Sequence, residues 1–209
     1  MNSELELILK SLEQFGREND ENQTDRQHKM LDLERDTAAL IHILVQASRR
    51  QNILEIGTSN GYSTLWLADA ARSLPSARLI SIERNGTKIQ IARQNLRRAG
   101  LEHLVTLVEG EASDIVNDLP GPYDCVFFDA DRTSAPHQLR VLLPKMQTDV
   151  LLLCDNVLSH PLEVAEYLAA VKTLPDFASI VLPIGKGLHI AFRGGPRTGL
   201  SPRGAGLAT

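Results

Sequence analysis

A chain of 209 residues, 43% of them hydrophobic, is long enough to bury one sizeable core and predicts a single domain with short appendages. Its formal net charge of -4 leaves no basic excess for phosphate backbones, which argues against a nucleic-acid partner. No apolar run approaches the roughly 20 residues needed to span a bilayer, so no membrane attachment is expected.

The first segment, MNSELELILKSLEQFG, carries acids among its apolar residues and lacks the basic start of a signal peptide, so a cytoplasmic location is expected. Leu5, Leu7, Ile8, Leu12 and Phe15 have helical spacing and predict a helix over 4–15. The polar run GRENDENQTDRQHK predicts a loop. From Asp25 to Ser48, the positions Met30, Leu33, Thr37, Leu40, Ile41, Leu44 and Val45 recur every three or four residues and predict a second, amphipathic helix. Residues 1–48 therefore read as an N-terminal helical unit, serving as a lid or a dimer contact.

From Asn52 the pattern changes to short apolar runs alternating with amphipathic stretches. NILEI precedes a helix over 60–72, RLISIE a helix over 87–99, and HLVTLVEG a short helix near 111–118. YDCVFFDA precedes a helix ending near Lys145, and DVLLLCDN one over 161–172. Two strands close the series, over 178–183 and 188–193. Strand–helix units in succession predict a parallel sheet covered by helices on both faces, and the continuous apolar strands agree. The Gly-rich PIGKG between the last two strands predicts an antiparallel hairpin at one edge. Residues 49–193 thus form one α/β unit. The Gly-, Pro- and Arg-rich residues 194–209 are expected to lack order. Cys125 and Cys154 lie inside apolar runs and read as buried free thiols. Trp66, on the first crossover helix, reads as core.

In an open parallel sheet, ligands bind at the carboxyl ends of the strands. Here the first such loop is Gly57-Thr-Ser-Asn-Gly61, preceded by Glu55. Gly57 permits a positive φ, Gly61 lets a ligand approach the backbone, and the following helix start attracts an anion. The loop lacks the middle glycine of the dinucleotide pattern G-x-G-x-x-G. An acid inside the turn repels a pyrophosphate but suits a cationic amino group. S-adenosylmethionine has an ammonium, a carboxylate and no phosphate, so the charge logic favours it over NAD. Candidate contacts are Glu55, Gly57, Ser59, Gly61 and Ser63 in this loop and Glu83 at the second strand tip, placed for a ribose diol. Gly110, Glu111 and Ala112 at the third tip would flank adenine. The alternative is that the two glycines only make a tight turn.

The fourth and fifth predicted strands both end in acid, at FFDADR and LLLCDN. Asp129, Asp155 and Asn156 offer three oxygens to a hard divalent cation such as Mg²⁺ or Ca²⁺. The competing reading is that Asp131 and Asp155 cap turns or helices.

The runs LEIGTSNGYSTL, ISIE, FFDADR, LLLCDNVL and LPIGKGLHIAF, in that order, resemble the class I S-adenosylmethionine-dependent O-methyltransferases of the catechol and caffeoyl-CoA type. The resemblance covers about Leu31 to Arg193. It implies a Rossmann-like, doubly wound, seven-stranded sheet, mostly parallel with an antiparallel C-terminal hairpin strand, and a homodimer. It also implies that Glu83 holds the ribose, that residues 55–63 hold the methionine part, and that residues 110–112 flank the adenine. Asp129, which also borders the cofactor, would join Asp155 and Asn156 in binding a cation that chelates two oxygens of a catechol-like small molecule. Two departures matter. The family's D-A-D-K loop ends here in Arg132, which stays protonated and cannot serve as the base that the lysine provides, though it can pair with a substrate anion. After D-N-V-L the chain runs into Ser159-His160-Pro161, leaving a different, more open pocket in which His160 is an alternative base or a mere turn residue. The catalytic candidates are therefore Arg132, Asp129 and His160. The competing functions are a cofactor-binding module without turnover and an NAD-dependent dehydrogenase.

Overall fold

The computed structural model describes residues 2–195. Its strands are β1 (Asn52–Ile56), β2 (Arg78–Glu83), β3 (Val105–Glu109), β4 (Tyr123–Phe128), β5 (Met146–Cys154), β6 (Phe177–Leu182) and β7 (Leu188–Arg193). They form one sheet in the order β3-β2-β1-β4-β5-β7-β6, in which only β7 runs against its neighbours. The expected mixed sheet with a C-terminal hairpin is therefore present. The hairpin folds inward, so β7 pairs with β5 and β6 becomes the edge.

The crossovers are α3 (Tyr62–Ala71), α4 (Gly86–Arg98), α5 (Ala112–Asp118), α6 (Ala135–Leu142) and α7 (Pro161–Thr173). Strand alternation divides the core in two. Ile53, Phe127 and Leu153 pack with Leu65 and Trp66 of α3, and Leu54, Phe128 and Leu152 pack with Leu139 of α6 and Tyr167 of α7. Each fully buried Leu, Ile or Phe contributes about 1.5–3 kcal/mol relative to exposure, so both faces hold the sheet. Trp66 is core, as expected, with the Arg35 guanidinium 5.6 Å from its ring centre. Cys125 and Cys154 are buried free thiols.

The N-terminal segment departs from expectation. Helix α1 runs Ser3–Asn22, into the first half of the predicted loop. Gly16 does not break it, because that glycine makes room: a Cβ there would lie 2.1 Å from Asp32 Oδ2. The second helix, α2, spans only Arg35–Ala47. Asp25 caps a 3-10 turn at Arg26–His28, and residues 29–34 form a non-helical strap. The Asp20 carboxylate accepts the N–H groups of Met30 (2.6 Å) and Leu31 (2.9 Å), competing with helix formation. Met30 and Leu33 are buried, but from this strap, so their three-residue spacing imitated a helix. Leu5, Leu9 and Leu12 of α1 pack into the same core face as β1. Among the described residues no helix is long and apolar enough to cross a membrane. The expectation for residues 194–209 lies, beyond Gly195, outside the described residues.

Candidate active site

The order of the sheet reverses between β1 and β4, and a crevice of about 1310 Å³ opens over the strand tips there. That volume exceeds the usual ~300–1,000 Å³ small-molecule pocket and leaves room for two molecules. Loops after β1 to β5 line it from one side, and the strap Lys29–Leu33 lines it from the other.

Both glycines of the first loop are required. Gly57 has φ 107°, and a Cβ there would lie 2.3 Å from the Asp129 carbonyl oxygen. Gly61 has φ 88° and packs on Ala92 of α4. Gly61 is also the N-cap of α3; beside it Asn60 Oδ1 accepts the Tyr62 N–H (3.0 Å), and Tyr62 and Ser63 of the helix start line the crevice, so the positive end of α3 faces it. Ser59 donates its N–H to Glu83 Oε2 (3.0 Å) and its hydroxyl to the Met30 carbonyl (2.5 Å), tying loop, β2 and strap together. The Asn85 N–H donates to Glu83 Oε1 (3.0 Å). Each carboxylate oxygen of Glu83 still has a lone pair for a ligand hydroxyl.

Glu55 requires a correction. It lies on the α3 face of β1, fully buried, and does not line the crevice. Its oxygens accept from the hydroxyls of Ser63 (2.6 Å), Thr64 (2.5 Å) and Ser81 (2.5 Å). Burial pushes its carboxyl up to about 7, against the three hydroxyls that hold it down. The direct contact expected between Glu55 and a ligand ammonium does not fit this placement; Ser63, which donates to Glu55, is the residue that lines the crevice. Period-2 alternation explains this: Leu54 and Ile56 point to the other core, so Glu55 must meet α3.

Gly110, Glu111 and Ala112 line the far end. Glu111 lies 3.8 Å from Arg84, and Ala112 opens α5.

At the tips of β4 and β5 the three expected oxygen-bearing residues converge. Asn156, at φ 67°, donates its amide to Asp129 Oδ1 (3.2 Å) and Asp155 Oδ2 (2.8 Å). Burial, then the Asp155 charge, holds the Asp129 carboxyl well above the usual range. Burial pushes Asp155 up to about 6. Asp155 Oδ1 is buried with no hydrogen-bond partner among the described residues. Among the described residues no group of three or more His, Cys, Asp or Glu side chains is placed to hold a metal ion. Asp131 accepts from the Thr133 N–H and from the hydroxyls of Thr133 and Ser134, so it is the turn acid of the pair D-A-D.

Arg132 is buried at the crevice wall, and its Nε donates to Glu163 Oε2 of α7 (2.8 Å). His160 sits at the rim as N-cap of α7, with Nδ1 2.8 Å from the Ser159 hydroxyl. Three contributors carried no legible signal in the sequence. Asp32, pushed up to about 7 by burial, lies in the strap beside Asn60. Lys88 of α4 reaches the crevice and hydrogen-bonds the Lys29 carbonyl. Lys186, from the β6–β7 turn, lines the acid end.

A family model described as O-methyltransferase matches residues 3–188. The chain is 37% identical over 123 residues to a catechol O-methyltransferase of Niastella koreensis, across 56% of this chain and 54% of that protein. It spans about half the length of the first curated relatives it matches. Among solved structures, it superimposes on the O-methyltransferase TomG of Streptomyces achromogenes, in complex with SAM, with a TM-score of 0.73 and 26% identity, over 93% of this chain and 91% of that one. A candidate caffeoyl-CoA O-methyltransferase from Staphylococcus aureus gives a TM-score of 0.77 and 28% identity, over 92% and 93%. With its model matched over nearly the whole described chain and its fold superimposing on theirs, the protein belongs to the O-methyltransferase family.

Proposed function

We propose that this chain is an S-adenosylmethionine-dependent, divalent-cation-assisted O-methyltransferase acting on a small molecule with catechol-like or vicinal oxygens. One observation carries the reading: a single crevice joins the β1–β3 tips, Glu83 among them, to the Asp129–Asp155–Asn156 cluster. S-adenosylmethionine supplies an electrophilic methyl group. Glu83 accepts from the ribose hydroxyls, residues 110–112 border the adenine, and Gly57–Ser63 receive the methionine part, with Glu55 behind Ser63 biasing that end toward an ammonium.

The acid cluster fits a hard cation on its own chemistry. The Asn156 amide bridges two carboxylates, one of whose oxygens is buried without a hydrogen-bond partner among the described residues, and turning the amide presents a third oxygen. Asp129, Asp155 and Asn156 would hold the ion, which lowers the pKa of an acceptor hydroxyl from about 10 and orients it. The chain's contribution is then mostly positioning. Arg132, fixed by Glu163, is unable to act as a base and serves as a wall of the acceptor pocket. His160 remains the base candidate at the rim.

The reading includes a cytoplasmic enzyme, in keeping with two unpaired buried thiols, and a homodimer, for which the exposed Ile180 and Val181 of edge strand β6 offer a contact. A cofactor-binding module without turnover is the second reading, favoured by the Arg132–Glu163 pair where the family has a lysine. Isothermal titration with S-adenosylhomocysteine tests the core of the proposal. Binding is expected, and no heat with this ligand alongside binding of NAD overturns it.

A further inference from the structure

Lys186 sits at the tip of the β6–β7 turn, between two glycines of positive φ, Gly185 (53°) and Gly187 (96°). Neither glycine can carry a side chain. A Cβ on Gly185 would lie 2.4 Å from Thr37 Oγ1, and one on Gly187 would lie 2.6 Å from the Leu158 nitrogen. The turn is therefore wedged between the start of α2 and the loop that follows β5. The Lys186 carbonyl accepts from the N–H groups of Leu158 and Ser159 (3.0 Å each), and the Gly187 carbonyl accepts from Val157 (3.0 Å). This fastens the lysine backbone to the loop that carries Asp155 and Asn156. The ammonium donates to Glu34 Oε1 (2.8 Å) and lies in the field of both Asp155 and Asp129. Among the described residues, two of its three N–H donors have no further hydrogen-bond partner. Arg132, the residue in the position of the family's lysine, is committed to Glu163.

We propose that Lys186 is the acceptor-side cation of this site: its ammonium hydrogen-bonds the acceptor's ionised oxygen and holds it in the crevice. The inference rests on the methyltransferase reading and relocates an ammonium from the loop after β4 to the hairpin. The acceptor hydroxyl loses its proton to solvent, with His160 at the rim as the candidate base that passes it on. The resulting oxygen anion forms the new C–O bond with its electron pair, the S–CH₃ bond breaks, and its pair stays on sulfur, so an anion and a sulfonium become two neutral products. Lys186 remains protonated throughout and acts by charge and direction.

The test uses the full chain with S-adenosylhomocysteine and Mg²⁺, titrated with 4-nitrocatechol at mildly alkaline pH and read by visible absorbance. Lys186→Met should weaken binding of this anion roughly tenfold or more, the size expected for a hydrogen bond to a charged group. Lys186→Arg should stay within about threefold, because the charge and a donor survive. Affinity for S-adenosylhomocysteine and for neutral 1,2-dimethoxybenzene should change less than about twofold in both variants. Equal 4-nitrocatechol affinity in wild type and Lys186→Met, or no binding to wild type, overturns the role of Lys186. Loss of the neutral probe as well would mark a collapsed turn and also overturn it. Failure of the wild type to bind S-adenosylhomocysteine overturns the methyltransferase reading and this inference with it.

Discussion

Replacing Glu55 by Gln should remove a pH dependence of stability whose size and sign follow from the burial of one carboxyl. Glu55 is fully buried, and its carboxyl is raised from 4.5 to about 7. The folded state therefore binds that proton more tightly than the unfolded state, by about 3 kcal/mol. Between these two values the folded chain carries more protons, so the contribution is fully present below about pH 4.5 and is lost as pH rises through about 7. Glutamine keeps the shape and titrates nothing. Urea denaturation of wild type and Glu55→Gln at intervals from pH 4.5 to 8 should show the wild type losing up to about 3 kcal/mol relative to the variant. The Asp32 carboxyl, also raised to about 7 by burial, contributes equally to both proteins and cancels in the difference. Saturating S-adenosylhomocysteine should flatten the wild-type decline, because an ammonium across Ser63 favours the ionised carboxylate. Parallel curves for the two proteins would refute the reasoning and show that the three hydroxyls compensate the buried charge in full.

Glu83→Ala removes the acceptor for the Ser59 and Asn85 N–H groups as well as the proposed ribose contact, so calorimetry should show S-adenosylhomocysteine binding about 10–100-fold more weakly. Chelation of divalent cations with EDTA should abolish turnover of a catechol and Mg²⁺ should restore it, whereas activity unchanged by EDTA would mark the β4 and β5 acids as structural.

Most of the sheet was legible because its strands are continuous apolar runs ending in polar turns, a pattern that survives any tertiary context. The tight turn at Gly57 and Gly61 was legible for a related reason: a backbone with positive φ at a strand tip calls for glycine. What stayed hidden depends on contacts remote in sequence. The strap at 29–34 is non-helical because Asp20, on α1, takes the N–H groups of Met30 and Leu31. Spacing alone could not reveal that competition. The side of the sheet that Glu55 faces follows from strand alternation, yet its three hydroxyl partners come from α3 and β2. Lys186 reads as an ordinary turn residue until the hairpin folds inward and sets it beside Glu34 and the β5 loop.

The distribution of charge over the strand tips also separates the candidate ligands. Glu83, Asp129 and Asp155 line one crevice, with Glu55 behind its wall; Arg26, Lys29, Arg84, Lys88, Arg132 and Lys186 line it too, with Arg132, Lys186 and Arg84 set against Glu163, Glu34 and Glu111. At an effective dielectric of about 20, a unit charge 4 Å from one carboxylate exchanges about 4 kcal/mol with it. A pyrophosphate entering this edge meets that repulsion from several directions and would need a compensating cluster of basic groups near Gly57. None of the glycine-loop residues supplies one. A sulfonium and an ammonium entering the same edge would gain from the same field, and a divalent cation would relieve the two carboxylates that Asn156 bridges. The field at the β4 and β5 tips thus opposes an added anion beside Asp129 and Asp155 and favours a cation there.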